Sequence, residues 1–185
     1  MRPMRLHTIA AIPADGIGPE VIAAGLEVLD VLQQRCGDFR LQVTSFDWGS
    51  DYYKRTGRMM PDDGLETLTP FSAIYFGAVG APDVPDHITL WGLRLRICQS
   101  FDQYANVRPV RLLPGLQGRI VGKGPEHIDF VCVRENTEGE YSGVGGRVHR
   151  GTTYEVAEQT GVFTYTGIER VVRYACEIAA KRPRK

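Results

Sequence analysis

The sequence predicts an α/β protein: part of a doubly wound sheet, a partial second α/β domain and a β-hairpin arm. Three observations point there. Short apolar runs alternate with stretches of helical periodicity, the pattern of strands joined by crossover helices. Glycine and proline punctuate the junctions, with 21 Gly and 11 Pro in 185 residues. The segment 147–166 is rich in Thr, Val and Tyr with Gly161 inside it, which suggests a hairpin.

The elements follow in order. His7–Ile12 is a short apolar run stopped by Pro13 and Asp15-Gly16, and reads as a buried strand. Gly18-Pro19-Glu20 then opens a helix: proline suits the first helical position and Glu20 suits the positive helix end. Val21, Ile22, Leu26, Leu29, Val31 and Leu32 give that helix an apolar face, and it ends near Cys36-Gly37. Leu41–Trp48 alternates as a second strand. Asp51–Thr56 and Asp62–Thr69 read as short helices, punctuated by Pro61 and Pro70. Ala73–Phe76 is a third buried strand, ending in Gly77-Ala78-Val79-Gly80. Parallel strands with helical crossovers imply a sheet covered on both faces. Leu90–Ser100 reads as helix, Tyr104–Leu113 and Ile128–Val133 as strands. Gly167–Lys181 is a strong helix with Ile168, Val171, Val172, Ala175 and Ile178 on one stripe. A domain boundary is expected near residues 98–104, giving units of 1–100 and 101–185.

Composition narrows the function classes. Lys+Arg and Asp+Glu are equal at 22 each and the pI is near 6.9, which argues against a nucleic-acid or membrane-surface partner. Hydrophobic residues at 43% and charged residues at 24% are globular values. No apolar run approaches a membrane span, and the N-terminus does not read as a secretory signal. Cys36, Cys98, Cys132 and Cys176 match no compact metal knuckle or redox pair, so reduced thiols in the cytoplasm are expected. His7, His87, His127 and His149 are scattered and read as structural or surface residues. The basic tail Lys181–Lys185 suits a helix C-terminus better than a nucleic-acid arm.

Four segments carry candidate chemistry. Asp15-Gly16-Ile17-Gly18-Pro19-Glu20, between a strand and a helix, reads equally as a plain tight turn or as a ligand loop with backbone N–H groups facing an anion. It lacks the ending of the dinucleotide fingerprint. Gly77–Gly80 lies beyond a strand end, where ligands gather in open sheets, although glycine also simply ends strands. Arg108, held before Pro109, is a positioned guanidinium that suits either a carboxylate ligand or a structural ion pair. Arg134 leaves a strand of core residues, and a glycine-containing loop returns Tyr141 seven positions later. A phenol beside a cation can serve as a proton donor, because positive charge favours the phenolate left behind. The alternative is a solvated acidic loop with a packing Tyr.

Taken together, DGIGPE at 15–20, DHITLWG at 86–92, DQYANVRP at 102–109 and VRENTEGEYSG at 133–143 resemble the metal-dependent β-decarboxylating dehydrogenases of isocitrate, isopropylmalate and tartrate or D-malate. The resemblance runs from about Ile9 to Lys185 and is strongest to the tartrate/D-malate branch. It implies the isopropylmalate dehydrogenase-like fold, NAD, a divalent cation (Mn²⁺ or Mg²⁺), a small dicarboxylic acid substrate and a homodimer clasped by the 147–166 arm. The implied reaction takes hydride from C2 of a 2-hydroxy acid, releases the β-carboxylate as CO₂ and reprotonates the enolate. Arg108 and Arg134 match substrate-carboxylate arginines, Tyr141 the catalytic tyrosine, and Gly77, Ala78, Val79 and Gly80 a cofactor-facing loop. The resemblance leaves isopropylmalate or isocitrate as alternative substrates, and a non-catalytic binding or regulatory module as an alternative class.

Three departures stand out. The family's further carboxylate arginine, ten residues before Arg108, is replaced by Cys98; Arg94, one helical turn earlier, is the expected substitute, with Arg96 as second choice. Ala14 stands where the family often has glycine. The family's catalytic lysine, metal-binding aspartates and adenine-binding segment lie beyond residue 185, and neither Lys181 nor Lys185 takes the lysine's place. The sequence is thus expected to be an N-terminal half, with metal ligands outside it. As an isolated polypeptide it is expected to be poorly soluble and without turnover.

Overall fold

The computed structural model describes residues 4–183 and divides into two compact units after Ser100. Arg184 and Lys185 of the basic tail lie outside the described residues.

The first unit is an α/β layer. β1 (Arg5–Ala14) pairs in parallel with β2 (Phe39–Ser45) on one side and β3 (Ala73–Ala78) on the other, in the order β2-β1-β3. α1 (Gly18–Cys36) connects β1 to β2; α2 (Ser50–Thr56) and α3 (Gly64–Leu68) lie between β2 and β3. Residues 86–100 are continuously helical: α4 (Asp86–Thr89), a π turn (Leu90–Arg94) and α5 (Leu95–Ser100). Ala10, Ala11 and Ile12 of β1 are fully buried, as are Met60, Leu68, Leu93 and Leu95 elsewhere in the unit. Phe46 stacks on Trp48 at 4.6 Å and meets Phe71 edge-on at 5.7 Å. α1 ends where Gly37 turns left-handed at φ 68°, its N–H donating to the Gln33 carbonyl.

The expected apolar face of α1 is only partly used. Ile22 is buried, whereas Val21, Val31 and Leu32 are 43–49% exposed. Three strands are too narrow to cover the whole stripe. The helix instead meets the sheet at Gly25, where the Tyr75 hydroxyl fills the space a Cβ would take.

In the second unit, β4 (Ala105–Arg111) pairs antiparallel with β5 (Asp129–Glu135), and α6 (Tyr165–Ala180) packs on β5. β6 (Gly139–Val148) and β7 (Val156–Val162) form the hairpin. The arm therefore starts at Gly139 rather than at 147, and residues 165–166 belong to α6. The start was hidden because Gly143, Gly145 and Gly146 weaken the strand signal of β6. α6 begins two residues before its expected start because Thr164 caps it, accepting the Gly167 N–H at 3.0 Å.

Candidate active site

The register of β4 and β5 decides what the arginines can do. Asn106 lies opposite Arg134, and Arg108 opposite Cys132. Directly opposed residues share a face, and alternate residues along a strand share it too. Asn106, Arg108, Cys132 and Arg134 therefore stand on one face, with the two arginines as diagonal neighbours.

Arg108 is exposed, and its Nε donates to Asn106 Oδ1 at 3.3 Å. Among the described residues no carboxylate pairs with it. The structural ion pair is therefore not its role within these residues. Asn106 in turn donates to Asn136 Oδ1 at 3.5 Å, and buried Asn136 donates to the Gln103 carbonyl at 3.0 Å. A ladder of amides thus stiffens the strand face that presents Arg108.

Arg134 is half-buried and reaches Tyr141. Its Nη2 donates to the phenol oxygen at 2.6 Å and to Glu140 Oε1 at 2.9 Å. The guanidinium also lies 5.1 Å from the Tyr141 ring centroid, within cation–π range. Burial alone would pull this guanidinium down, but Tyr141 and then Glu140 outweigh it and leave it above its ordinary value. Glu140 is held below the usual carboxylate range by its own backbone N–H and by Arg134.

The loop 135–141 is ordered by its own acids rather than left to solvent. Glu135 accepts the Thr137 N–H and hydroxyl, both at 2.7 Å, and the Glu138 N–H at 3.2 Å. Glu138 accepts the Thr164 N–H at 2.9 Å and the Thr164 hydroxyl at 2.6 Å. It lies so close to Gly167 that a Cβ there would sit 2.2 Å from the carboxylate. Arg170 of α6 grips Asp102 through two contacts of 2.8 and 2.9 Å, donates to Thr137 and stacks 4.6 Å over Tyr104. The sequence pattern singled out none of Asn106, Asn136, Glu140 and Arg170. The acid-rich loop was the visible signal, because carboxylates spaced by two or three residues can turn back onto backbone N–H groups.

Arg94 lies in the first unit, half-buried at the end of the π turn, with half-buried Cys98 one turn on in α5. The remaining candidates gather at the C-terminal ends of β1 and β3. Gly77 and Gly18 let two chain segments touch: a Cβ on either would lie about 2 Å from the Pro13 carbonyl oxygen (2.2 and 1.9 Å). The space left by Gly77 is thus filled by the protein's own backbone. Gly80 is different. Its φ is +131° and nothing lies within 4 Å of its Cβ position. Asp15, 7% exposed, ties this corner together. Its carboxylate accepts the Ser50 N–H at 2.7 Å, the Ser50 hydroxyl at 2.7 Å and the Gly80 N–H at 2.9 Å. The only prior signal was an Asp before Gly at a strand end, a common turn pattern.

Among the described residues no three of His, Cys, Asp and Glu stand together to hold a metal ion, and no helix is long and apolar enough to cross a membrane. The four cysteines are free thiols.

The family model described as isocitrate/isopropylmalate dehydrogenase matches residues 8–185. The chain belongs to this family. Among the isocitrate/isopropylmalate dehydrogenases, it is 64% identical over 182 residues to a probable tartrate dehydrogenase/decarboxylase of Agrobacterium vitis, covering 98% of this chain and 51% of that protein. It is 55% identical to the D-malate dehydrogenase (decarboxylating) of Escherichia coli K12, covering 98% and 51%. The chain spans about half the length of the curated relatives it matches. The crystal structure of isocitrate dehydrogenase from Methylococcus capsulatus superposes with a TM-score of 0.80 at 28% identity, covering 97% of this chain and 49% of that one.

Proposed function

We propose that the chain is the N-terminal portion of an oxidative decarboxylase that acts on a small 2-hydroxy dicarboxylic acid, tartrate or D-malate, with NAD and a divalent cation. The observation that carries this reading is the 2.6 Å contact between Arg134 and Tyr141, on a unit whose strand face also presents Arg108. Two guanidiniums carried on diagonal neighbours of one strand face can grip the carboxylates of one small acid. Arg94, in the first unit, is the residue proposed to replace an arginine at Cys98.

Each residue then has a task. Arg108, unpaired by any carboxylate among the described residues, and Arg134 bind and orient the acid. The Tyr141 oxygen accepts from Arg134 Nη2, and the role proposed for this oriented phenol is to give a proton to the enolate carbon once CO₂ has left. Gly77, Ala78, Val79 and Gly80 would face the cofactor, with open Gly80 as the point of close approach; bound NAD would supply the hydride acceptor for C2. The cation's ligands come from outside the described residues, so these residues contribute carboxylate binding and proton transfer. The hairpin clasps a second copy in a homodimer, and free thiols fit a cytoplasmic enzyme.

The test is NADH formation from D-malate and from tartrate with Mn²⁺, in the protein that carries this chain. Arg134→Gln is expected to raise KM for the acid roughly 100-fold, as expected when a charge-assisted contact to a carboxylate is lost. Tyr141→Phe is expected to lower kcat by roughly 100-fold or more with KM little changed. An Arg134→Gln enzyme with unaltered KM would sink the reading.

A further inference from the structure

We propose that Asp15 is the positioning residue of the coenzyme loop: it sets the backbone of Gly77–Gly80, and thereby the affinity for NAD. The inference rests on the reading of that loop as cofactor-facing.

In the strand order β2-β1-β3 the chain leaves β1 to one side and then crosses to the other, and open α/β sheets take ligands beyond the C-terminal strand ends at such a point. Gly80 lies just past the C-terminal end of β3. Its φ of +131° is a conformation that glycine adopts freely, and with no side chain it has nothing of its own to hold that conformation. Asp15 supplies the hold from two directions. Its N–H donates to the Ala78 carbonyl at 2.6 Å, and its carboxylate accepts the Gly80 N–H at 2.9 Å. The same carboxylate takes both donors of Ser50, the first residue of α2, which is only 2% exposed.

α2 fastens the loop a second time. Lys54 Nζ lies 2.8 Å from Asp83 Oδ2, three residues past Gly80. The start of α1, the start of α2 and the loop after β3 are therefore tied through one buried carboxylate and one surface ion pair. A buried charged acceptor with three donors is strong and directional. The carboxylate contacts are to Ser50 and Gly80, so its effect passes through the backbone of Gly80.

Asp15→Asn keeps the size but turns one oxygen into a donor, which then faces N–H and O–H groups. Ser50→Ala removes a single donor and leaves the Gly80 bond intact. Two measurements are made on the protein that carries this chain: amide exchange over 77–80, and NAD titration by calorimetry beside the KM for D-malate. Asp15→Asn is expected to speed exchange at Gly80 and weaken NAD about tenfold, with the D-malate KM within about twofold. Ser50→Ala is expected to fall between Asp15→Asn and the unaltered protein. Unchanged NAD affinity in Asp15→Asn overturns the proposal, as does an equal loss for NAD and D-malate, which marks general unfolding. Failure of the unaltered protein to oxidise D-malate or tartrate falls instead on the functional reading, and the NAD titration still decides the role of Asp15.

Discussion

Arg134 shows how one side chain acquires its orientation from its neighbours. Alone it is a strand residue; beside Tyr141 and Glu140 it is an oriented cation whose Nη2 is fully engaged. Arg94 is held differently, half-buried in a helical stretch. Arg94→Ala is expected to cut kcat/KM for the acid by roughly 10- to 100-fold while leaving NAD affinity unchanged, measured by steady-state kinetics. An unchanged kcat/KM would mean that no charge replaces the arginine missing at 98. Ala14 carries a second residue-scale consequence. Its φ is +56°, a left-handed conformation that costs an L-residue about 1 kcal/mol. Ala14→Gly relieves that strain but loosens the unfolded chain, so a net gain of a few tenths to about 1 kcal/mol is expected, read as a rise in Tm.

At the scale of elements, α6 is fastened to the loop before the hairpin by Glu138. The Thr164 hydroxyl and then its N–H hold the Glu138 carboxyl below its ordinary value of 4.5. A carboxylate whose folded value is lowered contributes stability that is complete above the unfolded value. That stability is lost as pH falls through the folded value. Glu138→Gln is therefore expected to destabilise the protein near neutral pH, with the gap closing as pH falls from above the ordinary value of 4.5 to well below it. Urea midpoints of the two proteins across that range check it; a gap that stays constant would assign the loss to packing instead. The hairpin carries its own lesson. Its strands were legible only where Thr and Val crowd together, since β-propensity reports side chains and glycine has none. α1 was legible nearly to the residue, because proline and a left-handed glycine mark its ends by local chemistry, whereas the helical stretch expected from Leu90 starts at Asp86 and α6 starts two residues early at Tyr165.

The whole molecule exposes 12940 Å², against roughly 9,000 Å² for a compact chain of 20.6 kDa. Counting each unit as its own compact body raises the expectation only to roughly 11,000 Å². In the second unit the buried positions among the described residues are Asn136, Gly139 and Gly167, none of them a large apolar side chain. Val156, Val162, Phe163, Ile168 and Val172 are 37–60% exposed. Surfaces of this kind need covering. The 185-residue polypeptide, prepared by itself, is expected to bind ANS, to self-associate and to form no NADH from D-malate. A monodisperse monomer with one cooperative unfolding transition would contradict this.

What the sequence determined by itself is the local and periodic content. The three strands of the first unit and their crossover helices follow from apolar period and turn chemistry, and the family resemblance follows from motifs in a fixed order, whereas the strand order β2-β1-β3 is read only from the structure. Where side chains meet across strands was decided only by tertiary structure. Arg108 shares a face with Arg134 because of a pairing register, and register depends on two segments 26 residues apart closing on each other. Asp15 reaches Ser50 and Gly80 across 35 and 65 residues. Linear spacing records none of these distances, because they are set by how the strands align and not by any residue's own preference.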